Sequence, residues 1–256
     1  MYRTENPLAR LHKVQKPDDP NNPDHISWGQ LISSLGLFTY ATTIVEIGVQ
    51  RANSTKHFCE AMKKTHGFVY GYDTFEPVGA YIKKPGTRYG GSFGSLEACT
   101  EALKEYDNFK LTKINTHSPE FADILIQDLG HKKIDIAFID ACHSYDGAVK
   151  DLQTVYPLLA RTGIIVFHDT YSHVGLRKLN IDLRTKLYDG TYDVIELPFG
   201  RGNKRLGLTI VVKRSFALTN TGILNIEHDE DMKREDIYDY ENNFLLNEIE
   251  KAKNND

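Results

Sequence analysis

Two aspartates and two histidines have the residue types and spacing for acid–base or metal chemistry. Asp140 and His143 lie in the segment Ile-Asp-Ala-Cys-His-Ser-Tyr, and His168 and Asp169 are neighbours. Each pair follows an apolar run that predicts a buried strand, so the four side chains are expected at one edge of a parallel sheet. Such a group can remove a proton from a hydroxyl, with His143 as the first candidate base, or hold a divalent metal ion. A third interpretation, in which the side chains only bond neighbouring loop amides, stays open.

A predicted strand, glycine turn and helix form a second feature with chemical meaning. Residues Thr43 to Ile47 are mostly β-branched, which is typical of a strand buried on both faces, and Glu46 and Gly48 mark its carboxyl end. We expect Gly48 to let the backbone turn tightly and approach a ligand, and Ser54 to cap the helix that follows. Asp73 ends the next predicted strand, 25 residues beyond Gly48, close to the spacing of roughly 20 at which an acid binds ribose hydroxyls. The unit predicts a nucleotide-like cofactor over the turn.

The composition of this turn distinguishes two classes of cofactor. A dinucleotide places its pyrophosphate on the helix N-terminus and needs the three glycines of G-x-G-x-x-G, but Gln50 and Asn53 occupy the second and third glycine positions after Gly48. S-adenosylmethionine carries no phosphate, and its ammonium and ribose hydroxyls need acidic acceptors. An E-x-G turn followed by an acid at the next strand end therefore fits S-adenosylmethionine better than NAD. A nicotinamide-dependent oxidoreductase and a non-catalytic binding module remain the alternatives.

The first motif resembles that of the class I S-adenosylmethionine-dependent methyltransferases. Glu46 and Gly48 match its acid-x-Gly, whereas Gln50 and Ala52 stand where many members have further glycines. The segments I-D-x-x-H-S-Y and G-I-I-V-F-H-D resemble a bacterial small-molecule O-methyltransferase subgroup that includes relatives of macrocin O-methyltransferase and the cephalosporin-biosynthesis protein family. The resemblance covers roughly residues 40–215 and implies a Rossmann-like class I methyltransferase fold. That fold is α/β, with a seven-stranded, mostly parallel sheet and an antiparallel last strand.

The resemblance also implies roles for individual residues. Glu46 would lie near the methionine end of S-adenosylmethionine and Asp73 at its ribose, and the polar residues after the third strand would contact adenine. The predicted cofactor-binding residues are Glu46, Gly48, Ser54, Asp73, Asn115, Thr116 and Asp140.

In catechol-type O-methyltransferases, an acid at the fourth strand end and an acid–amide pair at the fifth hold magnesium. Asp140 and Asp169 occupy the matching positions, but Thr170 stands where the amide would be. The predicted catalytic residues are His143, Asp140 and Asp169, and the predicted metal ligands are Asp140, Asp169 and His168. The ion would be Mg²⁺ or Mn²⁺, and a histidine ligand would suit iron or zinc as well. The alternative is a metal-free mechanism in which His143 is the base.

The expected acceptor is a hydroxyl on a small molecule such as a sugar or natural product, because an alcohol needs a base or a metal before it can attack. The segment Glu76 to Gly94 is either a substrate lid, whose Lys83, Lys84 and Arg88 would attract an anionic group, or an exposed loop. The net charge of -4 and the pI of about 6.2 give no broad basic surface for nucleic acid. No apolar run approaches the roughly 20 residues of a membrane span, so we expect no membrane partner and a cytoplasmic location. A homo-oligomer is compatible with the sequence.

The elements that must position these residues alternate between strand and helix. The predicted strands are 43–47, 68–72, 109–114, 134–139 and 163–167, followed by an antiparallel hairpin of 192–197 and 206–213, and the predicted helices are 25–38, 55–65, 95–106, 118–129, 146–159 and 174–187. We assign 1–24 to an extended N-terminal arm, 25–215 to the methyltransferase domain and 216–256 to an acidic, partly helical extension.

Overall fold

A computed structural model of the protein describes residues 31–37, 39–76, 94–198, 200–201, 204–205 and 207–214. The predicted N-terminal arm, the acidic extension and residues 77–93 of the predicted substrate loop lie outside the described residues. Within the described ranges, no helix is long and apolar enough to cross a membrane.

Strands and helices alternate through the first part of the chain, as the sequence predicts. The strands are β1 (Thr43–Ile47), β2 (Phe68–Asp73), β3 (Phe109–Lys113), β4 (Ile134–Ile139), β5 (Leu159–His168), β6 (Tyr192–Leu197), β7 (Gly200–Arg201), β8 (Lys204–Arg205) and β9 (Leu208–Lys213). The helices are α1 (31–37), α2 (Asn53–Thr65), α3 (Leu96–Ala102), α4 (Phe121–Leu129), α5 (Tyr145–Val155) and α6 (Val174–Asp182).

Seven strands form one sheet in the order β3-β2-β1-β4-β5-β9-β6. The pairs among the first five strands are parallel, whereas β9 is antiparallel to both β5 and β6. The predicted seven-stranded sheet with an antiparallel last strand is therefore confirmed. The predicted hairpin of β6 and β9 is also confirmed, with β9 inserted between β5 and β6.

The central strands are buried on both faces, which explains their continuous apolar sequences. On one face Val45, Ile47 and Phe167 pack under α4, α5 and α6; on the other, Ile44 and Phe138 pack under α1, α2 and α3. Strand order reverses between β1 and β4, because β2 and β3 follow on one side of β1 and β5 lies on the far side of β4. In open α/β sheets such a switch point is where ligands bind, beyond the carboxyl ends of the strands.

Gly48 lies at this switch point and has a left-handed backbone, with φ +94°. A Cβ on Gly48 would stand 2.3 Å from the carbonyl oxygen of Asp140, so the close approach that glycine permits is to the turn after β4. Two backbone hydrogen bonds hold the turns together: Gly48 N–H donates to the carbonyl of Tyr72 at 2.9 Å, and Asp140 N–H donates to the carbonyl of Ile47 at 2.8 Å. These two bonds therefore fix the carboxyl ends of β1, β2 and β4 relative to one another.

Two non-glycine residues in the same turn also have left-handed backbones. They are Gln50, with φ 53°, and Ala52, with φ 60°, and they occupy the positions at which many class I methyltransferases have glycines. Ala52 is the N-cap of α2 and makes no side-chain capping bond. The prediction that Ser54 caps this helix is therefore wrong, because the left-handed turn starts the helix at Asn53, and the hydroxyl of Ser54 donates to Glu46 instead.

Other element ends also differ from the sequence prediction. Helix α4 begins at Phe121, with Glu120 as its N-cap, so the predicted start of this helix at residue 118 is wrong as well. The chain from 116 to 120 forms turns instead, and the Phe121 N–H donates to the carbonyl of Ser118. Strand β5 begins at Leu159, four residues before the predicted start, because Ile134 of β4 pairs with it.

We predict opposite effects for two substitutions in the turn after β1. Gly48→Ala should lower the free energy of unfolding by more than about 2 kcal/mol, because its Cβ collides with backbone that cannot move aside. Gln50→Gly should leave that free energy unchanged or raise it by up to about 1 kcal/mol, since glycine removes the left-handed strain at an exposed position. Urea unfolding of the two variants measures both effects. Equal stability of Gly48→Ala and the wild type would contradict the proposed contact.

Candidate active site

The structure brings Asp140, His143, His168 and Asp169 together at the carboxyl edge of β4 and β5. His143 Nε2 lies 3.3 Å from Asp140 Oδ1 and 3.6 Å from Asp169 Oδ2. His168 Nδ1 lies 3.3 Å from Asp140 Oδ1 and 3.4 Å from Asp169 Oδ1. Each histidine therefore faces both carboxylates, as the argument from strand ends predicted.

The backbone at this edge fixes the direction of the side chains. His143 immediately precedes Ser144, the N-cap of α5, whose hydroxyl accepts a hydrogen bond from Gly147 N–H at 3.1 Å. Asp169 has a left-handed backbone with φ 59°, a conformation that aspartate tolerates better than most residues, and its carbonyl accepts from Ser172 N–H at 3.0 Å. Thr170, where the resembled catechol enzymes have an amide, is fully buried.

His168 carries the strongest electrostatic perturbation in this cluster. It is 4% exposed, and burial alone would lower its pKa, but the carboxylates of Asp140 and Asp169 outweigh burial and raise the pKa of His168 to about 10. Without another cation, an imidazolium at His168 offsets one of the two negative charges of the acids.

His173 is a member of this site that the sequence analysis did not identify. It is the N-cap residue of α6, and its ring is stacked on that of His143, with centroids 4.1 Å apart and an interplanar angle of 8°. Its Nε2 lies 4.0 Å from Asp169 Oδ2, and burial lowers its pKa, helped by the nearby His143. The sequence feature that could have identified His173 is its position four residues after Asp169, because a single turn of the chain can return a residue at that spacing to the same edge of the sheet.

Asp73, predicted to bind ribose, joins the turns after β1 and β2. Its Oδ2 accepts a hydrogen bond from Gln50 N–H at 2.8 Å, and its Oδ1 accepts from Phe75 N–H at 2.8 Å. The Thr74 hydroxyl also donates to Oδ1, at 3.4 Å. A carboxylate has about four lone-pair sites, so Asp73 can still accept a further hydroxyl.

Glu46 lies beneath the cofactor turn and is 0% exposed. Its two carboxyl oxygens accept hydrogen bonds from the hydroxyls of Ser54 and Thr55, in the first turn of α2. Burial raises the pKa of Glu46 to about 8; the two hydroxyls oppose this rise, and the charges of Asp140 and Asp73 add to it. Glu46 therefore anchors α2 to β1, and at neutral pH it carries a proton.

The predicted adenine contacts lie after β3, beside a fully buried acid, and Thr116 among them is itself buried. The acid is Asp151 of α5, which the sequence analysis did not single out. His117 Nε2 lies 3.3 Å from Asp151 Oδ1, and Asn115 Oδ1 accepts from His117 N–H at 2.9 Å. The sequence feature that could have identified Asp151 is its position on the apolar face of a helix, because an acid buried there requires a partner.

Two overlapping groups of donor atoms in the described part of the chain have the chemistry of a metal site. One consists of Asp140, His168 and Asp169, and the other of His143, Asp169 and His173; within each group all ligand atoms lie within 4.8 Å of one another. Carboxylate oxygen with imidazole nitrogen is a donor set that first-row transition metals accept. The residues at this edge therefore fit a divalent ion.

Comparisons with known proteins agree with this architecture. A family model described as a methyltransferase domain matches residues 45–170. No curated protein matches the chain. The matched residues run from β1 to the end of the Asp140–Asp169 cluster.

Three solved structures show the range of proteins with a similar fold. An O-methyltransferase from Bacillus cereus, in complex with SAH, is 13% identical over 80% of this chain and 96% of that chain, with a TM-score of 0.57. The O-methyltransferase TomG from Streptomyces achromogenes, involved in tomaymycin synthesis and in complex with SAM, is 15% identical over 73% and 79%, with a TM-score of 0.53. An rRNA methylase from Streptococcus thermophilus is 11% identical over 72% and 95%, with a TM-score of 0.50. At these identities the similarity establishes the fold.

The protonated Glu46 predicts a pH dependence of stability that a single substitution removes. Between its ordinary pKa of 4.5 and about 8, folded Glu46 keeps a proton that the unfolded chain has released. The stabilisation is therefore complete below pH 4.5, falls as the pH rises and is lost above 8, with a total change on the order of a few kcal/mol. Urea unfolding at several pH values measures this dependence. In Glu46→Gln, the fall of the unfolding free energy between pH 4.5 and 8 that Glu46 causes should be absent. The matched control is Glu60→Gln, which changes an exposed glutamate of α2; an unchanged slope in Glu46→Gln would contradict the assignment.

Proposed function

We propose that the protein is an S-adenosylmethionine-dependent methyltransferase that acts on a hydroxyl oxygen. The observation that carries this proposal is the position of His143 Nε2 between Asp140 and Asp169, beside the cofactor turn at Gly48. A base supported by two acids at the switch point of a methyltransferase-type sheet is an arrangement suited to removing a proton beside a bound cofactor.

The proposed cofactor lies over the turn after β1. Asp73 would bind the ribose hydroxyls, and Asn115 and Thr116 would contact the adenine. The methionine end would lie beside Gly48, Ser54 and Asp140. Glu46 lies beneath this end and holds Ser54 in place, because it accepts the hydrogen bond of the Ser54 hydroxyl. Two neighbours with this fold are complexes with SAM or SAH, which supports the choice.

A dinucleotide fits this turn less well. Gln50 is left-handed and exposed at the second glycine position of the fingerprint, and Asn53 is the first residue of α2. A pyrophosphate on this helix N-terminus would meet both side chains. This observation disfavours the nicotinamide-dependent alternative.

The reaction would be an in-line displacement at the methyl carbon. The substrate hydroxyl oxygen forms a bond to that carbon, the carbon–sulfur electron pair stays on sulfur, and the hydroxyl proton passes to Nδ1 of His143, the ring nitrogen that does not face the two acids. Asp140 and Asp169 hold this tautomer and stabilise the imidazolium that results, because they lie 3.3 and 3.6 Å from Nε2 and accept its N–H. A divalent ion at Asp140, His168 and Asp169 would lower the pKa of a hydroxyl bound to it.

A small hydroxylated molecule, such as a sugar or natural product, is the proposed substrate. The fold alone does not decide this, since one neighbour is an rRNA methylase. The net charge of -4 favours a small molecule over nucleic acid. The cations that would attract an anionic substrate, Lys83, Lys84 and Arg88, lie outside the described residues.

Calorimetry with S-adenosylmethionine and NAD tests the cofactor. The wild type should bind S-adenosylmethionine, and Asp73→Asn should weaken binding about tenfold or more because the ribose loses charge-assisted hydrogen bonds. Binding of NAD without binding of S-adenosylmethionine would support the oxidoreductase instead.

A methyl-transfer assay with a panel of sugars and phenols, in which the release of S-adenosylhomocysteine is measured, tests the role of His143 as the base. His143→Gln should lower turnover by about 100-fold or more while the Kd for S-adenosylmethionine stays within about twofold. The control is His131→Gln, because His131 is exposed and precedes β4 at the opposite edge of the sheet. Full turnover in His143→Gln would exclude His143 as the base.

A further inference from the structure

The outer face of α6 carries two apolar side chains that the described part of the chain leaves uncovered. Val174 is 82% exposed and Ile181 is 63% exposed. They are seven residues apart, which is two turns of a helix, so both lie on the same side of α6. Single exposed apolar side chains are common at protein surfaces, but a pair at this spacing is the pattern with which one helix recognises another element.

Basic side chains lie between and beyond these two apolar residues. The four exposed cations of this face are Arg177, Lys178, Arg184 and Lys186. Asp182 offsets the charge of Lys178, at 4.0 Å, and Glu196 offsets that of Arg184. The other two have no acidic partner among the described residues, and Arg177 donates to the carbonyl of Tyr171 at 2.8 Å. Residues 171–188 contain no exposed acid, so the face as a whole favours an anionic partner.

Four residues form one continuous strip on this face, which we call the α6 strip. At i, i+3, i+4 and i+7 they occupy one side of the helix, with cations in the middle and an apolar residue at each end. A partner that fits this strip must carry acids and apolar residues at helical spacing. The α6 strip consists of Val174, Arg177, Lys178 and Ile181.

The acidic C-terminal extension of the same chain has this complementary pattern in its sequence. Eleven acids and only four Lys or Arg make residues 216–256 more negative than the whole protein, whose net charge is -4, so residues 1–215 are net positive. Within residues 235–249, which we call the docking segment, Ile237, Tyr240 and Phe244 recur at i, i+3 and i+7 with acids between them. A helix over this segment would set apolar residues against the ends of the α6 strip and acids against its cations.

The described chain leaves the sheet close to the end of α6. Arg214, which follows β9, donates to Asp193 of β6 at 2.9 Å. The Tyr192 hydroxyl, at the start of β6, donates to the carbonyl of Leu183, the C-cap of α6, at 2.9 Å. The 22 residues from 215 to 234 and on to 236 can extend over about 70 Å, whereas α6 has nine residues and a length of about 14 Å. The docking segment can therefore reach the α6 strip, and the tether keeps its effective concentration high.

We propose that the docking segment binds the α6 strip of its own chain. Its apolar residues cover Val174 and Ile181, and its acids lie against Arg177 and Lys178. Because Val174 directly follows His173, the bound segment borders the cleft on the side of the stacked histidines. This binding is independent of the proposed methyl transfer.

Zero-length cross-linking of the full chain with a carbodiimide tests the proposal, because it joins a lysine only to a carboxylate in contact with it. Lys178 should be joined to acids of the docking segment, and the yield should persist at about 0.5 M salt, which screens long-range attraction between charges. The comparison lysines are Lys132 and Lys133, which are exposed at the amino edge of the sheet. Absence of a Lys178 cross-link, loss of it at high salt, or cross-links mainly on Lys132 and Lys133 would each overturn the proposal.

Substitutions of exposed apolar residues test the apolar part of the contact. Ile181→Gln and Phe244→Gln should each lower the yield of the Lys178 cross-link by about fivefold or more, because each removes apolar surface from the contact. The matched controls are Ile126→Gln, at an exposed isoleucine of α4, and Leu224→Gln, in the extension outside the docking segment; both should keep the wild-type yield. Circular dichroism checks that each variant is folded. Equal yields in Ile181→Gln and Ile126→Gln would contradict the proposed contact.

A mixture of unlabelled and ¹⁵N-labelled chains identifies the occupant of the strip. Mass spectrometry of the cross-linked peptides should find pairs of the same isotope only, because both residues belong to one chain. Pairs of mixed isotope would assign the docking segment to a second copy and overturn binding within the chain.

Discussion

The backbone contact between the turns after β1 and β4 is the constraint on which the site depends. Gly48 approaches Asp140 so closely that a Cβ has no room, and hydrogen bonds tie both turns to the adjoining strands. Because the two turns belong to neighbouring parallel strands, the contact places the predicted cofactor turn beside the proposed catalytic cluster. A shift of either strand would separate the proposed methyl donor from the base, and positional errors of this kind are costly in enzymes.

This contact also gathers acidic groups at one place, and the protein accommodates them in different ways. Glu46 is buried below the turn and keeps a proton, with the hydroxyls of Ser54 and Thr55 as partners. Asp73 stays at the edge and accepts two backbone amides. Asp140 faces two histidines. Three carboxyl groups on three adjacent strands can therefore coexist, because Glu46 is neutral, Asp73 is bonded to amides and Asp140 lies beside the imidazolium of His168.

Most of the architecture could be predicted from the sequence, because buried parallel strands have continuous apolar runs and end in polar residues. The grouping of Asp140 with Asp169 follows from this rule alone. The starts of α2 and α4 could not be predicted, since Ala52 takes a left-handed conformation that no residue pattern marks and the residues just before Phe121 form turns instead of a first helical turn. His173 and Asp151 were also missed, because the first matters through stacking and the second through a partner 34 positions away. Contacts of that kind depend on packing between elements, which local periodicity does not encode.

The position of β9 has a consequence for how the chain acquires its site during synthesis. Strand β5, which carries His168, pairs on its outer edge with β9, and β9 is the last strand of the described chain. Until residues 208–213 have left the ribosome, β5 presents an open edge, and β6 has no neighbour through which to join the sheet. The amino-terminal half can assemble from nearer contacts, but the side of the cleft that holds the histidines must wait for a distant segment, which is the slower kind of pairing. Among the described strands, the edge that carries His168 is therefore the last part of the sheet to assemble.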